Sequence, residues 1–378
     1  MTKTNLEHRE EELNEVASSL TKIPDLRDNW RLSHLLAEVL FIVLCAQLNG
    51  FETFGEYVLY GKEKLTFLRK FFPYKNGCPS KVTFYRVLSL IEPKKLERFL
   101  EEWMRKTVNP TESHVIAVDG KTHRGAQGDE SVHLVGAFAT NNGLLIGQEK
   151  VADKSNEITA IPLLLDRLSI ANQIITIDAM GCQKEITQKI IEKKAHYILA
   201  LKENHKTFYE EVDLYFKQPC EKAAIQMSET LEKERGRVEH RQCFVTSHID
   251  WFEDKDQWKN LRTFVNVQTY CHAKGKERTE TRYFISDLPA DSDLILAATR
   301  AHWGIENRLH WLLDVVFKED DRILWHKNVI QNEAVLRRCA LNIIRKYKTH
   351  HNDQRAIKSL RKILIGNDDL MVKVLNEF

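Results

Sequence analysis

Two short apolar runs that each end in an aspartate constrain this 378-residue chain more than any other feature. The first run is HVIAVD, which ends at Asp119, and the second is QIITID, which ends at Asp178. Short runs rich in Val and Ile predict buried strands of a mixed α/β sheet that is covered by helices. Ligands of open α/β sheets bind beyond the carboxyl ends of such strands. Both acids are therefore predicted to lie at a binding edge.

A third acid, Glu306, lies in a helix predicted over residues 292–317, within the segment RAHWGIENRLHWLLDVVFKED. Ile305 and Leu309 belong to the apolar stripe of this helix, and Glu306 lies beside it. An acid in such surroundings needs a partner or a metal ion. Hard divalent cations such as Mg²⁺ take oxygen ligands and keep positions open for substrate oxygens. The three acids predict a metal site that performs phosphoryl transfer on DNA.

The sequence also allows simpler structural roles for the three acids. An aspartate after a strand often begins a turn and bonds its own backbone, and Asp119 is followed by a glycine, as in a common turn pair. Glu306 can form an ordinary ion pair with Arg308 or with a histidine. His302, Glu306 and His310 also fall at four-residue steps that would suit zinc, although the HExxH spacing is missing.

Basic and amide side chains follow the predicted strands. Lys121 and Arg124, in the segment DGKTHRG, are predicted to clamp a phosphate or to neutralise charge in a transition state. The alternative is that both are surface turn residues. Lys202 and Asn204, and with them Gln183, follow later strands and are weaker candidates for substrate contact.

The C-terminal tail is locally basic, although the net charge of the whole chain is only +2. Between residues 337 and 362 the one acid is Asp353. A basic patch is the usual footprint of phosphate contact, and the alternative is a solvated surface helix. Arg337, Arg338, Arg345 and Lys346 are predicted to contact DNA. The basic residues of this tail are Arg337, Arg338, Arg345, Lys346, Lys348, Arg355, Lys358, Arg361 and Lys362.

The patterns divide the chain into three parts. Residues 1–110 are predicted to form a helical domain, either DNA-binding or a packing module, in which residues 35–48 form a buried core helix. Residues 111–330 are predicted to form the catalytic domain, with a mostly β insertion at about 205–282, after which YFISDL returns to the main sheet. Residues 331–378 are predicted to be a basic helical tail.

Composition and the N-terminus indicate a cytoplasmic protein. The seven cysteines are scattered without any CxxC, which favours reduced thiols. The first residues are charged, so no signal peptide is expected. The longest apolar stretch, residues 35–48, is too short to span a bilayer, so no membrane partner is expected.

Five segments resemble, in the same order, those of the H-repeat-associated insertion-sequence transposases, which are DDE transposases with a ribonuclease H-like core. The resemblance covers most of the chain, including the N-terminal helical region. The segments are AVDGKTHRGA, DKSNEITAIPLLL, TIDAMGCQKEI, ALKEN and HWGIENRLHWLLDVVFKED.

The resemblance implies a catalytic triad of Asp119, Asp178 and Glu306, with the two aspartates on adjacent strands and a β insertion before the glutamate. It also implies two Mg²⁺ or Mn²⁺ ions bridged by Asp119. One ion would activate water and later a DNA 3′-hydroxyl, and the other would stabilise the leaving oxygen. The implied partners are element ends and target DNA, with a homodimer on the ends and association with the nucleoid.

Two positions depart from the wider class. Relatives often place Tyr, Arg and Lys in fixed register around the glutamate, whereas this chain has His302 four positions before Glu306 and Leu313 seven after it. Phosphate contacts assigned to those positions therefore do not carry over. A catalytically inactive DNA-binding remnant, or a metal hydrolase acting on another phosphate ester, are the alternative functions.

Overall fold

The computed structural model describes residues 17–25, 27, 32–105, 115–123, 132–152, 155–218, 224–234, 236–321, 324 and 326–377. Arg124, one of the predicted phosphate contacts, and Cys220 lie outside these residues.

Nine strands form one mixed sheet in the order β3-β2-β1-β4-β5-β9-β8-β7-β6. β1, β4 and β5 are mutually parallel, and the other neighbours are antiparallel. The predicted fold class, an α/β mixed sheet flanked by helices, is confirmed. The strands are β1 (Val115–His123), β2 (Val132–Ala139), β3 (Leu144–Lys150), β4 (Ile174–Ile177), β5 (His196–Leu201), β6 (Ile225–Glu234), β7 (Arg237–Thr246), β8 (Thr263–Ala273) and β9 (Lys276–Ser286).

Strand β1 is longer than the sequence predicts. The Asp119–Gly120 pair is not a turn, because β1 continues to His123 and Gly120 pairs with Val135 of β2. Parallel pairing with β4 ends one residue before Asp119, whereas antiparallel pairing with β2 continues through it. Asp119 therefore lies inside a strand, at the position where one of its two neighbouring strands ends.

The strands after β5 extend the sheet instead of forming a separate one. β6 to β9 form an antiparallel meander, and residues 283–286 of β9 pair with residues 198–201 of β5. The predicted return of YFISDL to the main sheet is confirmed. The segment also contains a helix, Lys206–Lys217, where the sequence predicted mostly strands.

The helices pack on both faces of the sheet. A continuous apolar core joins the N-terminal helices, the sheet and the C-terminal helices, and a second, smaller core lies between the sheet and α9. The helices are α1 (Leu36–Leu48), α2 (Phe54–Glu63), α3 (Leu65–Leu68), α4 (Lys81–Leu90), α5 (Pro93–Arg105), α6 (Glu157–Arg167), α7 (Lys184–Glu192), α8 (Lys206–Lys217), α9 (Ser292–His302), α10 (Trp311–Val315), α11 (Lys327–His350), α12 (Ile357–Leu364) and α13 (Asp368–Leu375).

Helices α1 and α11 form the centre of the helical part. Every residue of α1 is buried, which agrees with the predicted core helix, and α11 packs against α1, α4 and α5. The helices at the two ends of the chain therefore share one core.

The burial of α11 corrects the prediction for its arginines. Arg337 is fully buried and forms an ion pair with Glu333 at 3.3 Å. Arg338 is 4% exposed and donates from Nη1 to Glu319 at 2.6 Å. Buried guanidinium groups need such partners because an unpaired charge in the interior is costly. Neither side chain is exposed enough to contact a phosphate, so the prediction that they contact DNA is wrong.

Two more predicted contacts of the tail are engaged inside the protein. Arg345 is 9% exposed and donates to the carbonyl of Gly143 in the β2–β3 turn, so the prediction that it contacts DNA is wrong as well. Lys346 is half-buried, and its ammonium lies over the Trp103 ring at 5.4 Å from the centroid. The predicted contacts Arg337, Arg338 and Arg345 are thus engaged in the interior, whereas other basic residues of the tail, Arg355, Lys358 and Lys362, are exposed.

Two general properties of the described residues bear on the sequence predictions. None of the helices in the described ranges is long and apolar enough to cross a membrane. The cysteines among them carry free thiols, and they are Cys45, Cys78, Cys182, Cys243, Cys271 and Cys339.

Candidate active site

Asp119 and Asp178 are neighbours across two parallel strands. The last matched pair of β1 and β4 is Val118 with Ile177, so each aspartate occupies the next position of its strand. Adjacent strands lie about 4.8 Å apart, and matched positions project to the same face of the sheet. The two carboxylates therefore share one face.

Local hydrogen bonds fix one oxygen of each aspartate. Oδ1 of Asp119 accepts from the backbone N–H of Gly120 at 2.9 Å. Oδ1 of Asp178 accepts from the N–H of Met180 at 3.1 Å and caps a short 3₁₀ turn. Both aspartates thus accept hydrogen bonds from nearby backbone N–H groups, as aspartates in turns typically do. This bonding orients the carboxylates through Oδ1 and, among the described residues, leaves Oδ2 of Asp178 without a hydrogen bond.

Glu306 approaches the same face from the segment that follows α9. Helix α9 packs against β1 and β4, and the chain then adopts π-helical hydrogen bonding over Ile305–His310 before α10 begins. Single π-helical turns are rare and often occur at functional sites. Ile305 and Leu309 are buried and Glu306 is exposed, so the segment is anchored by its apolar residues while the carboxylate stays accessible.

Electrostatics show that the acids form one cluster. Burial, followed by the negative charges of Asp178, Glu157 and Glu306, raises the pKa of Asp119 to about 7. Burial also raises the pKa of Asp178, followed by the charge of Glu157, while Lys202 acts in the opposite direction. No cation is among the groups with the largest effects on Asp119.

Glu157 is a fourth acid of this cluster, and the sequence reading did not identify it. It begins α6 and its Oε1 lies 2.7 Å from Nε2 of His133. The only signal was an acid in a first helical turn, which is common in any helix. Gly120 makes this arrangement possible, because a Cβ there would overlap Glu157 Oε1 and would lie 2.6 Å from His133 Nε2.

The variant G120A is expected to disturb the acid cluster. The added methyl group must displace the Glu157 carboxylate, and overpacking of this kind costs about 1–3 kcal/mol. The midpoint of urea unfolding should show the loss. G366A is the matched control, because Gly366 has no atom within 4 Å of an added Cβ. Equal stability of G120A and wild type would mean that Glu157 moves away without cost.

The two histidines of the Glu306 segment contact different strands. Nδ1 of His302 lies 2.9 Å from Oγ1 of Thr176 on β4, and Nδ1 of His310 lies 3.8 Å from Oδ2 of Asp119 on β1. Burial lowers the pKa of both to about 4, so both are neutral at pH 7. This separation does not favour the zinc alternative built on His302, Glu306 and His310.

The donor chemistry of the acid cluster fits a hard divalent cation. Within the described ranges, no three His, Cys, Asp or Glu side chains are already arranged as a ligand set. The carboxylates nevertheless repel one another on one face of the sheet, and that repulsion raises the pKa of Asp119. Divalent cations bound by oxygen ligands would relieve it. Asp119, Asp178 and Glu306 are the residues that would hold them.

The raised pKa of Asp119 predicts a pH-dependent stability difference for D119N. Between its ordinary value of 3.8 and about 7, the unfolded chain loses this proton while the folded protein keeps it, so wild-type stability falls as pH rises. In EDTA at pH 8, D119N should be more stable than wild type by on the order of 2–4 kcal/mol. The difference should shrink towards pH 4, and urea unfolding at both values measures it. A difference independent of pH would contradict the assigned cause.

Lys121, a predicted phosphate contact, is held by acids in this conformation. Its Nζ lies 2.7 Å from Asp314, 3.3 Å from Glu319 and 3.3 Å from Asp320. Its side chain is only 10% exposed. The ammonium therefore connects β1 to the segment that follows Glu306, and we remove it from the proposed direct phosphate contacts.

The other predicted contacts line a cleft beside Asp178. Lys202, Asn204 and Gln183 border a cavity of about 670 Å³ between the ends of β4 and β5 and the middle of β9. Asn204 also donates from Nδ2 to the carbonyl of Ala179 at 2.8 Å. This cleft is adjacent to Asp178 and carries the positive charge of Lys202.

Two lining residues of the cleft were missed by the sequence reading. The guanidinium of Arg282 lies 4.3 Å from the centroid of the Trp303 ring, and both residues border the cleft. Arg282 comes from β9 and Trp303 directly follows α9. No local pattern joins two residues so far apart in the chain.

Two protein families match consecutive parts of the chain. Residues 110–343 match the family described as "Transposase DDE domain", and residues 17–104 match the family described as "DDE_Tnp_1-associated". The first match contains all three acids of the candidate triad.

Related proteins match over most of their length. The chain is 36% identical over 370 residues to "Putative transposase YncI" of Escherichia coli O157:H7, covering 94% of this chain and 93% of that protein. It is 36% identical over 347 residues to "H repeat-associated putative transposase YhhI" of Escherichia coli K12, covering 88% and 91%. A short protein of the same strain, "Inactive transposase YbfQ", is 31% identical over 78 residues, covering 21% and 93%. The chain belongs to the DDE transposase family.

Proposed function

We propose that this chain is an active DNA transposase that cleaves the ends of its insertion-sequence element and joins them to target DNA. The observation that carries the proposal is the cluster of acids on one face of the sheet, in which the pKa of Asp119 is raised to about 7 by burial and by neighbouring carboxylates. Such a cluster is suited to bind Mg²⁺ or Mn²⁺. Family membership supplies DNA as the substrate.

The three acids would together hold two divalent metal ions. Asp119 would bridge them, because Asp178 on the neighbouring strand and Glu306 on the π-helical segment are both among the charges that act on it. Bound ions would supply positive charge for activating the attacking oxygen and stabilising the leaving one. The N–H of Met180 orients Asp178. Neutral His310 adds no positive charge beside Asp119.

The DNA path runs beside these acids in the proposal. Lys202 and Asn204 border the cleft next to Asp178 and are proposed to contact the strand that is cleaved. Pairing two element ends requires two copies of the site, so the chain is proposed to form a homodimer on DNA. The proposed location is the cytoplasm, at the nucleoid when DNA is bound.

The deciding experiment first locates the short inverted repeats in the DNA that flanks the gene and then measures nicking of a labelled duplex that copies one of them. The full chain should nick this duplex in Mg²⁺ or Mn²⁺ and should leave it intact in EDTA. A scrambled duplex of equal composition is the control. Binding without nicking in either metal would instead identify a DNA-binding remnant without catalytic activity. One relative of the chain is named an inactive transposase. Turnover of small phosphodiesters with indifference to DNA would identify a hydrolase.

A further inference from the structure

One half of helix α4 is exposed and carries no acid. At about 100° per residue, Lys81, Val82, Tyr85 and Arg86 fall on one side of the helix, and all four are exposed. Val82 is 66% exposed. The opposite side, formed by Phe84, Val87 and Leu88, is buried. The helix is thus packed against the core on one side and exposes both basic and apolar side chains to solvent on the other.

The charge around α4 is concentrated and positive. Between residues 64 and 98 there are nine Lys and Arg residues and two acids, Glu92 and Glu97, whereas the whole chain has a net charge of only +2. Glu97 is buried at 2% exposure, so it adds little negative charge at the surface. The C-terminal tail, which looked equally basic in sequence, keeps several of its arginines inside the protein. Helix α4 and the segments on either side of it therefore carry an exposed basic surface.

We propose that the exposed face of α4 lies in the major groove of the DNA at the element ends and holds it to the catalytic face. This inference rests on the proposed function. An α-helix with its side chains is about 10–12 Å in diameter, which matches a major groove about 12 Å wide. Lys81 and Arg86 are placed to meet phosphates or base edges. Val82 and Tyr85 are suited to apolar contact with thymine methyl groups.

The attachment of α4 to the rest of the protein supports this role. Asn332 of α11 donates to the carbonyls of Leu88 and Ile91 at 2.8 and 2.9 Å. Asn328 of α11 donates to the carbonyl of Ser89 at 3.0 Å. The same helix α11 carries Arg338, which bonds the segment following Glu306. DNA gripped by α4 would therefore be held in a fixed position relative to the acid cluster.

The experiment measures binding of the full chain to the labelled repeat duplex and to the scrambled duplex by fluorescence anisotropy over a range of salt concentrations. K81A/R86A should bind both duplexes on the order of tenfold more weakly, and the slope of log K against log salt should fall by about 2. V82E places an acid on the same face, and it should reduce the preference for the repeat over the scrambled duplex about tenfold. Both variants change only exposed residues.

The control is K358A/K362A, which removes two exposed lysines that lie about one turn apart on helix α12. It should leave affinity and salt slope close to those of wild type. Wild-type values for both α4 variants would overturn the inference while leaving the proposed function intact. Failure of wild type itself to bind the duplex would overturn the proposed function first. A shift of the sedimentation coefficient in the α4 variants, with DNA affinity unchanged, would identify the face as a protein contact and also overturn the inference.

Discussion

The amide variants D119N, D178N and E306Q should each lose Mg²⁺-dependent nicking by at least about 10³-fold, because metal ions contribute several kcal/mol to such reactions. An amide keeps the size of the carboxylate and removes the charge that holds a cation. DNA binding should survive, because none of these side chains is proposed to grip the duplex. Initial nicking rates on the repeat duplex and anisotropy on the same duplex measure the two properties separately.

The control for these variants is E203Q. Glu203 borders the same cleft and is exposed, but it is outside the proposed triad, so its amide variant should nick at a rate near that of wild type. Unfolding cannot explain the loss in D119N, because that variant is expected to be more stable than wild type in EDTA. Full activity in any one of the three variants would remove that residue from the proposed metal site.

Local sequence patterns were sufficient for the strands and helices that surround the site. Apolar runs located the strands before Asp119 and Asp178, and the β2–β3 hairpin turns at Asn141-Asn142-Gly143, where Gly143 has a φ of +72°. Both features depend on residues that are adjacent in the sequence, so a local sequence pattern is enough to predict them. The length of β1 does not, because pairing with β2 alone continues the strand past Asp119.

Burial of charge depends on residues far apart in the chain, which the sequence pattern does not show. Arg338 looks like a surface residue in a basic helix, yet its partner Glu319 lies on a separate turn. The π-helical turn at Glu306 is likewise not predicted by a pattern that assumes 3.6 residues per turn. It changes the angle around the helix axis between His302 and Glu306. The three acids of the candidate site could be predicted from their positions in the sequence. Whether a basic side chain points into the interior or to the surface could be seen only in the folded structure.

Replacing Glu319 by glutamine should cause the largest loss of stability among the variants considered. Its side chain is 1% exposed, and it bonds Arg338 at 2.6 Å and Lys121 at 3.3 Å. Although burial opposes ionisation, these two cations hold the pKa of Glu319 well below its usual value of 4.5. Removing the carboxylate leaves Arg338 buried without its counter-charge, which costs about 3–5 kcal/mol. The midpoint of urea unfolding at pH 7 should fall accordingly.

The pH dependence of this loss separates the ion pairs from simple packing. Because the folded pKa is lowered, the stabilisation by Glu319 is fully present above the ordinary value of 4.5 and declines as the pH falls below it. The difference between wild type and E319Q should therefore be largest near pH 7 and smaller at pH 3. E92Q is the control, because Glu92 is 59% exposed in a pair of 3.9 Å with Lys95, and such a surface pair contributes about 1 kcal/mol or less. Equal midpoints for E319Q and E92Q at pH 7 would show that the buried guanidinium of Arg338 does not depend on Glu319.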